Sequence, residues 1–121
     1  MIRTIVLASI LIVTGTHAFA AGDAAAGAKV FNRACKACHS VQAGKNLVGP
    51  SLAGVVGRKA GSAAGYKSSP AYAASGVTWN ATTLDTYLID PRKMMKGSRM
   101  ITKVGAATDR ANVIAYLATL K

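Results

Sequence analysis

Five consecutive residues, Cys35-Lys36-Ala37-Cys38-His39, constrain this chain more than any other feature. Two thiols three positions apart, followed directly by an imidazole, have the spacing of a c-type haem attachment site. On a helical turn, residues i, i+3 and i+4 share one face. Cys35 and Cys38 can then reach the two vinyl groups of one haem while His39 turns its ring to the iron. Three other uses of such a pair stand beside this one. Structural zinc normally takes four protein ligands, and the whole chain has two cysteines and two histidines. A thioredoxin-like redox pair needs a βαβ setting, and no such alternation of patterns is present. A structural disulfide would use both thiols but leave His39 without a role.

The first stretch of the chain has a different character. Arg3 supplies a positive start, Ile5 to Val13 form an apolar run, and Ala18-Phe19-Ala20 is a small-x-small site. This is the anatomy of a secretory signal peptide, so residues 1–20 are expected to be cleaved, after Ala20 or Ala21, leaving one domain over 21–121. The apolar run is well short of the ~20 residues that cross a bilayer, and no stable membrane insertion is expected. The destination is a bacterial-type periplasm. That compartment is oxidising, and covalent haem attachment would consume both thiols there.

Cleavage also changes the inventory of reactive groups. His17 lies in the leader, so His39 becomes the one histidine of the mature chain. Glutamate is absent, and the carboxylates are Asp23, Asp85, Asp90 and Asp109. Acid–base hydrolysis built on paired carboxylates or on a Ser/His/Asp set has no residues to use. With His39 on the iron, no imidazole remains for the opposite side. A thioether is the natural partner there, and the chain offers Met94, Met95 and Met100. Met94 and Met95 follow closely on Pro91, whereas Met100 comes after Gly97 on a loop with room to fold back.

Formal charge is +11, which implies a polyanionic or acidic partner, an acidic protein surface first and anionic lipid second. Nucleic acid is not expected of an exported chain without a recognition motif. Lys36, Lys45, Arg92, Lys93, Lys96, Arg99 and Lys103 cluster around the two presumed ligand loops, where acidic residues are nearly absent. A one-signed field of this kind steers an acidic protein face and releases it again.

Taken in order, Asp23 to about Ala34 predicts a helix, with Asp23 at its N-terminus and Gly27, Val30, Phe31 and Ala34 on one stripe. Gly27 costs roughly 1 kcal/mol against alanine in a helix interior. Either another helix crosses closely there, or the glycine is incidental in an Ala/Gly-rich stretch. Residues 40–80 show neither helical nor strand period. A loop of that length is unusual unless it has a function; here Leu47, Val48, Leu52, Val55 and Val56 are expected to pack on a cofactor. Gly49, Gly54, Gly57, Gly61 and Gly65 would supply turns and positive φ. Asn80 predicts a cap for a helix carrying Leu84, Tyr87 and Leu88, ended by Asp90-Pro91. Arg92 to Gly105 is expected to be a basic loop. Thr108-Asp109 would cap a last helix with Val113, Ile114, Tyr116, Leu117 and Leu120 on its stripe.

These residues, in this order, resemble the class I c-type cytochromes, most closely the cytochrome c2 and mitochondrial cytochrome c group. The resemblance runs through Gly22-Asp23, Gly27, Phe31, the pentapeptide, Val48-Gly49-Pro50-Ser51-Leu52, Gly57-Arg58-Lys59, Gly65-Tyr66, Val77-Thr78-Trp79, Tyr87-Leu88, Asp90-Pro91-Arg92-Lys93, Gly97-Ser98-Arg99-Met100 and Ile114-Ala115-Tyr116-Leu117. It implies an all-α fold, a small cytochrome c fold of three main helices with long Ω-type loops wrapped around one covalently bound haem. It implies His39 and Met100 as axial ligands, and the Pro50 carbonyl as acceptor for the other ring N–H of His39. Arg58, Tyr66 and Trp79 would be donors to the haem propionates, and Tyr87 a neighbour of the Met100 sulfur. One departure stands: Lys96 occupies a position where the family often has proline.

The function implied is that of a monomeric one-electron carrier, not an enzyme. Its partners would be acidic faces of a bc1-type complex, a terminal oxidase, a photosynthetic reaction centre or a periplasmic dehydrogenase. A haem enzyme or gas sensor would need an open iron position and usually a distal acid–base residue, for which no spare histidine exists.

Overall fold

The computed structural model describes residues 22–121; the expected leader, residues 1–20, lies outside the described residues. Among the described residues five helices are formed: α1 (Ala24–Ala34), α2 (Pro70–Ala74), α3 (Ala81–Ile89), α4 (Pro91–Met94) and α5 (Ala107–Ala118). Among the described residues there is no strand beyond an isolated bridge between Lys59 and Thr78. The three longer helices are the expected ones. The architecture is all-α, with long loops between the helices, as the resemblance implies.

Local chemistry sets most boundaries. Asp23 accepts from the N–H groups of Ala25 and Ala26 at 2.8 and 3.2 Å, satisfying two orphan donors of α1. Asn80 and Thr83 form a reciprocal capping box on α3. Pro91 ends α3 but also starts α4, with Asp90 as N-cap accepting from Lys93 N–H at 3.3 Å. A proline at the first helical position loses nothing, because its missing N–H would be unpaired there. The basic loop expected from Arg92 therefore begins with one helical turn.

Two further expectations need correction. The expected featureless stretch of 40–80 contains α2, again with proline at its first position. Thr108 and Asp109 do not cap α5: the N-cap is Ala106, without a side-chain cap, and Asp109 lies in the first turn. There its charge complements the helix dipole, and its carboxylate accepts from the Arg33 guanidinium of α1 at 3.0 Å.

Packing is organised by α1 crossing α5. A Cβ on Gly27 would run into the Asn112 carbonyl and the Tyr116 Cβ, so the glycine is there for the close crossing. Val30 and Phe31 meet Val113, Ile114 and Leu117 in the core, joined by Leu84, Tyr87 and Leu88 of α3. Val113 is 0% exposed, and burying such a side chain stabilises the fold by roughly 1.5–3 kcal/mol. Polar ties fix the same elements: Asp23 N–H donates to Asn112 Oδ1 at 2.9 Å, and Arg110 Nε donates to Asp85 at 2.8 Å.

The long loop is braced by its backbone. Gly57 N–H donates to Trp79 O, Trp79 N–H to Arg58 O, and Ala60 N–H to Val77 O, at 2.7–2.9 Å. These bonds pin Arg58 and Trp79 against each other. Val55 is buried and Leu52 partly so, as expected of residues turned inward. Leu47 and Val56 are exposed instead.

Candidate functional site

A cavity of about 220 Å³ opens between α1, α3, α5 and the long loops. The residues expected to attach, ligate or surround a haem all line it: Cys35, Cys38, His39, Pro50, Arg58, Tyr66, Trp79, Tyr87 and Met100. They come from the end of α1, from three loops and from α3, so only the fold brings them together. Of the apolar residues expected to pack on a cofactor, Val48, Leu52 and Val55 line it and Leu47 and Val56 do not.

The pentapeptide leaves α1 in a continued turn. Cys38 N–H and His39 N–H both donate to Cys35 O, at 3.1 and 3.0 Å. Both cysteines are free thiols and half-buried. Burial, reinforced by Cys38, pushes the Cys35 thiol up to about 11, so it remains protonated at neutral pH.

His39 is held from two sides. Its Nδ1 lies 2.8 Å from Pro50 O. A carbonyl only accepts, so Nδ1 carries the proton and the Nε2 lone pair is free to bind a metal. Burial lowers the His39 pKa, which keeps the ring neutral. The ring's other wall is Gly49, where a Cβ would collide with ring atoms Cε1, Nδ1 and Nε2. Of the loop glycines expected to supply turns and positive φ, Gly54, Gly57, Gly61 and Gly65 have positive φ, whereas Gly49 serves close approach.

Met100 lines the same cavity. Tyr87 O–H donates to its Sδ at 3.3 Å. Met95, by contrast, is 2% exposed in the core, and Met94 packs partly buried against that core. Neither lines the cavity. Tyr87 packs on Trp79, ring centroids 4.8 Å apart, and burial raises its pKa far above the ordinary tyrosine value.

At the rim, Arg58 donates through Nη1 to Ser51 O at 3.0 Å, and Tyr66 O–H donates to Val48 O at 2.8 Å. Val48 and Ile101, 74% and 66% exposed, also line the cavity. They leave an apolar mouth facing solvent. Lys36, Lys45, Arg92, Lys93, Lys96, Arg99 and Lys103 are all exposed, and of these Arg99 lines the cavity. Lys103 is tied to Asp90 at 3.0 Å, and Arg99 Nη2 donates to Lys67 O at 3.0 Å.

The residues fit a haem. A neutral imidazole nitrogen and a thioether are suitable iron donors, two free thiols stand beside the histidine, and the walls between them are largely apolar. Sequence reasoning missed Tyr72 and Ser98, whose hydroxyls bond each other and reach Tyr87 and the Met100 backbone. No local pattern marks them: Tyr72 lies in an Ala/Ser-rich stretch, and Ser98 is one more hydroxyl in a loop.

Comparison with known proteins agrees with this geometry. The family model described as "Cytochrome c" matches residues 24–121. The chain is 56% identical over 87 residues to cytochrome c2 iso-2 of Magnetospirillum fulvum, covering 71% of this chain and 91% of that one. It is 46% identical over 111 residues to cytochrome c2 of Rhodomicrobium vannielii, covering 89% and 87%. The solved structure of cytochrome cH from Methylobacterium extorquens superposes with a TM-score of 0.75 at 47% identity, covering 81% of this chain and 99% of that chain. The chain therefore belongs to the cytochrome c family, in its class I, cytochrome c2-like group, and is an electron carrier with one covalently bound haem c rather than an enzyme.

Proposed function

We propose that this chain, after removal of residues 1–20, works as a monomeric periplasmic shuttle, its domain 21–121 carrying electrons between membrane complexes on a His/Met-ligated haem. The haem supplies one-electron exchange between ferric and ferrous iron. Cys35 and Cys38 would hold the haem through thioethers, and His39 and Met100 would bind its iron. The observation that carries this reading is the Tyr87 O–H bond to Met100 Sδ, on a cavity that His39 also lines.

Each residue then has a physical task. Pro50 O accepts from His39 Nδ1–H and fixes the ring, making Nε2 the better donor. Tyr87 draws density from the Met100 sulfur, which favours the reduced state and adds to the raised potential of Met/His ligation. Arg58, Tyr66 and Trp79 would meet the propionates, whose buried charges need donors. With His39 and Met100 both on the iron, nothing would be left for a substrate to bind, and the apolar mouth at Val48 and Ile101 is where the electron would pass. The surrounding cations suit an acidic face of a bc1-type complex, a terminal oxidase, a reaction centre or a periplasmic dehydrogenase, and give nucleic acid no specific purchase.

Absorption of the oxidised protein tests the ligand set. The weak red charge-transfer band of a sulfur–iron bond is expected in the native protein, in Met94→Leu and in Met95→Leu. It is expected to vanish in Met100→Ala. Survival of the band in Met100→Ala would refute the assignment.

A further inference from the structure

The hydroxyls that sequence reasoning missed close a ring on Met100. Met100 N–H donates to Ser98 Oγ at 3.1 Å. Ser98 Oγ and the Tyr72 hydroxyl form a short hydrogen bond. The Tyr72 hydroxyl lies 2.8 Å from that of Tyr87, and Tyr87 donates to Met100 Sδ at 3.3 Å. Geometry alone lets the two middle bonds run either way, but proton counting does not. Each hydroxyl has one proton and can accept as well as donate. If Tyr87 gives its proton to the sulfur, its oxygen must accept from Tyr72. Tyr72 has then used its proton and must accept from Ser98. Ser98 in turn accepts from Met100 N–H, closing the circuit at the residue where it began.

We propose that Tyr72 is a positioning residue for the redox centre, donating into Tyr87 so that the Tyr87 proton is committed to the Met100 sulfur. The inference rests on the His39/Met100 ligation proposed above. Aligned hydrogen bonds polarise one another, by about 10–30% per bond, so donation into the Tyr87 oxygen strengthens what Tyr87 gives to sulfur. Without Tyr72, the Ser98 hydroxyl, 4% exposed, loses its acceptor, and a buried polar group without a partner is costly. The ring also fastens the methionine loop. α2, which carries Tyr72, is joined through it to α3 at Tyr87 and to the loop at Ser98. That tether stands in a loop where Lys96 provides none of the rigidity of a proline.

Reduction potentials of the haem-loaded protein test the idea through a double-mutant cycle. Tyr72→Phe keeps the ring's bulk and removes its hydroxyl. The expected result is a lower potential in Tyr72→Phe, a lower one still in Tyr87→Phe, and no further drop when Tyr72→Phe is added to Tyr87→Phe. Ser98→Ala breaks the ring from its other end and is expected to lower the potential as well, with Ser98→Thr restoring it; this pair decides the matter if Tyr72→Phe fails to fold. An equal shift from Tyr72→Phe in both backgrounds, or no shift while the red sulfur–iron band persists, would overturn the ring but leave the ligation intact. Absence of that band in the native protein would overturn the ligation reading itself, and the ring with it.

Discussion

Gly27→Ala is a sensitive probe of how the helices are assembled. Taken as an isolated helix, α1 should gain: alanine is favoured over glycine by about 1 kcal/mol in a helix interior. The new Cβ, however, would occupy the position of the Asn112 carbonyl oxygen and carbon on α5, with the Tyr116 Cβ also too near. Two of these obstacles are backbone atoms, so no rotamer change relieves them. The helices must separate where Val30, Phe31, Val113, Ile114 and Leu117 form the core. Overpacking of this kind costs typically 1–3 kcal/mol, and backbone obstruction belongs at the upper end. Subtracting the propensity gain leaves a loss of about 2 kcal/mol. At ~4–8 °C per kcal/mol for a domain near 100 residues, the Tm falls by about 8–16 °C. Guanidinium and thermal unfolding of the haem-loaded protein, followed by far-ultraviolet circular dichroism, measure this directly. Gly105→Ala is the control, since its Cβ meets nothing within 4 Å; it should be neutral or gain up to about 1 kcal/mol. A Gly27→Ala protein as stable as the native one, with the control behaving as stated, would refute the close-crossing argument.

Gly49→Ala should push the His39 ring off its bond to Pro50 and shift the potential and haem spectrum with little change in helix content; an unaltered spectrum would contradict the role assigned to Gly49. The Lys103 hydrogen bond holds the Asp90 carboxyl below its ordinary value of 3.8. With the folded value depressed, this pair supports the fold above the unfolded pKa and loses that support as pH falls through the folded one. Lys103→Ala should therefore raise the Asp90 pKa, read by NMR titration, and move acid unfolding to higher pH. Electron-transfer rates to an acidic partner should fall at least about tenfold as salt rises from low ionic strength; rates indifferent to salt would discard the basic face as the docking surface.

Helix ends marked by local chemistry were legible without coordinates. Asp23, Asn80 and Pro91 act on their nearest neighbours, and each bounds a helix where expected. The pentapeptide was legible for the same reason, its spacing being a matter of one helical turn. Thr108-Asp109 misled because Asp109 is engaged by Arg33, a partner 76 positions away. Leu47 and Val56 misled because hydropathy alone does not say which side of an irregular loop faces in. The Tyr72–Ser98 pairing was out of reach altogether. It joins residues 26 positions apart whose types are common in any loop, and it exists only because α2 and the methionine loop are folded onto α3.

The central claim is a redox centre closed on both sides, through which only an electron passes. Carbon monoxide mixed with the native ferrous protein tests it most directly. No rapid carbonyl formation is expected while Met100 holds its position, and rapid formation is expected in Met100→Ala. Fast carbon monoxide binding by the native protein would mean an open iron position, and would contradict the account.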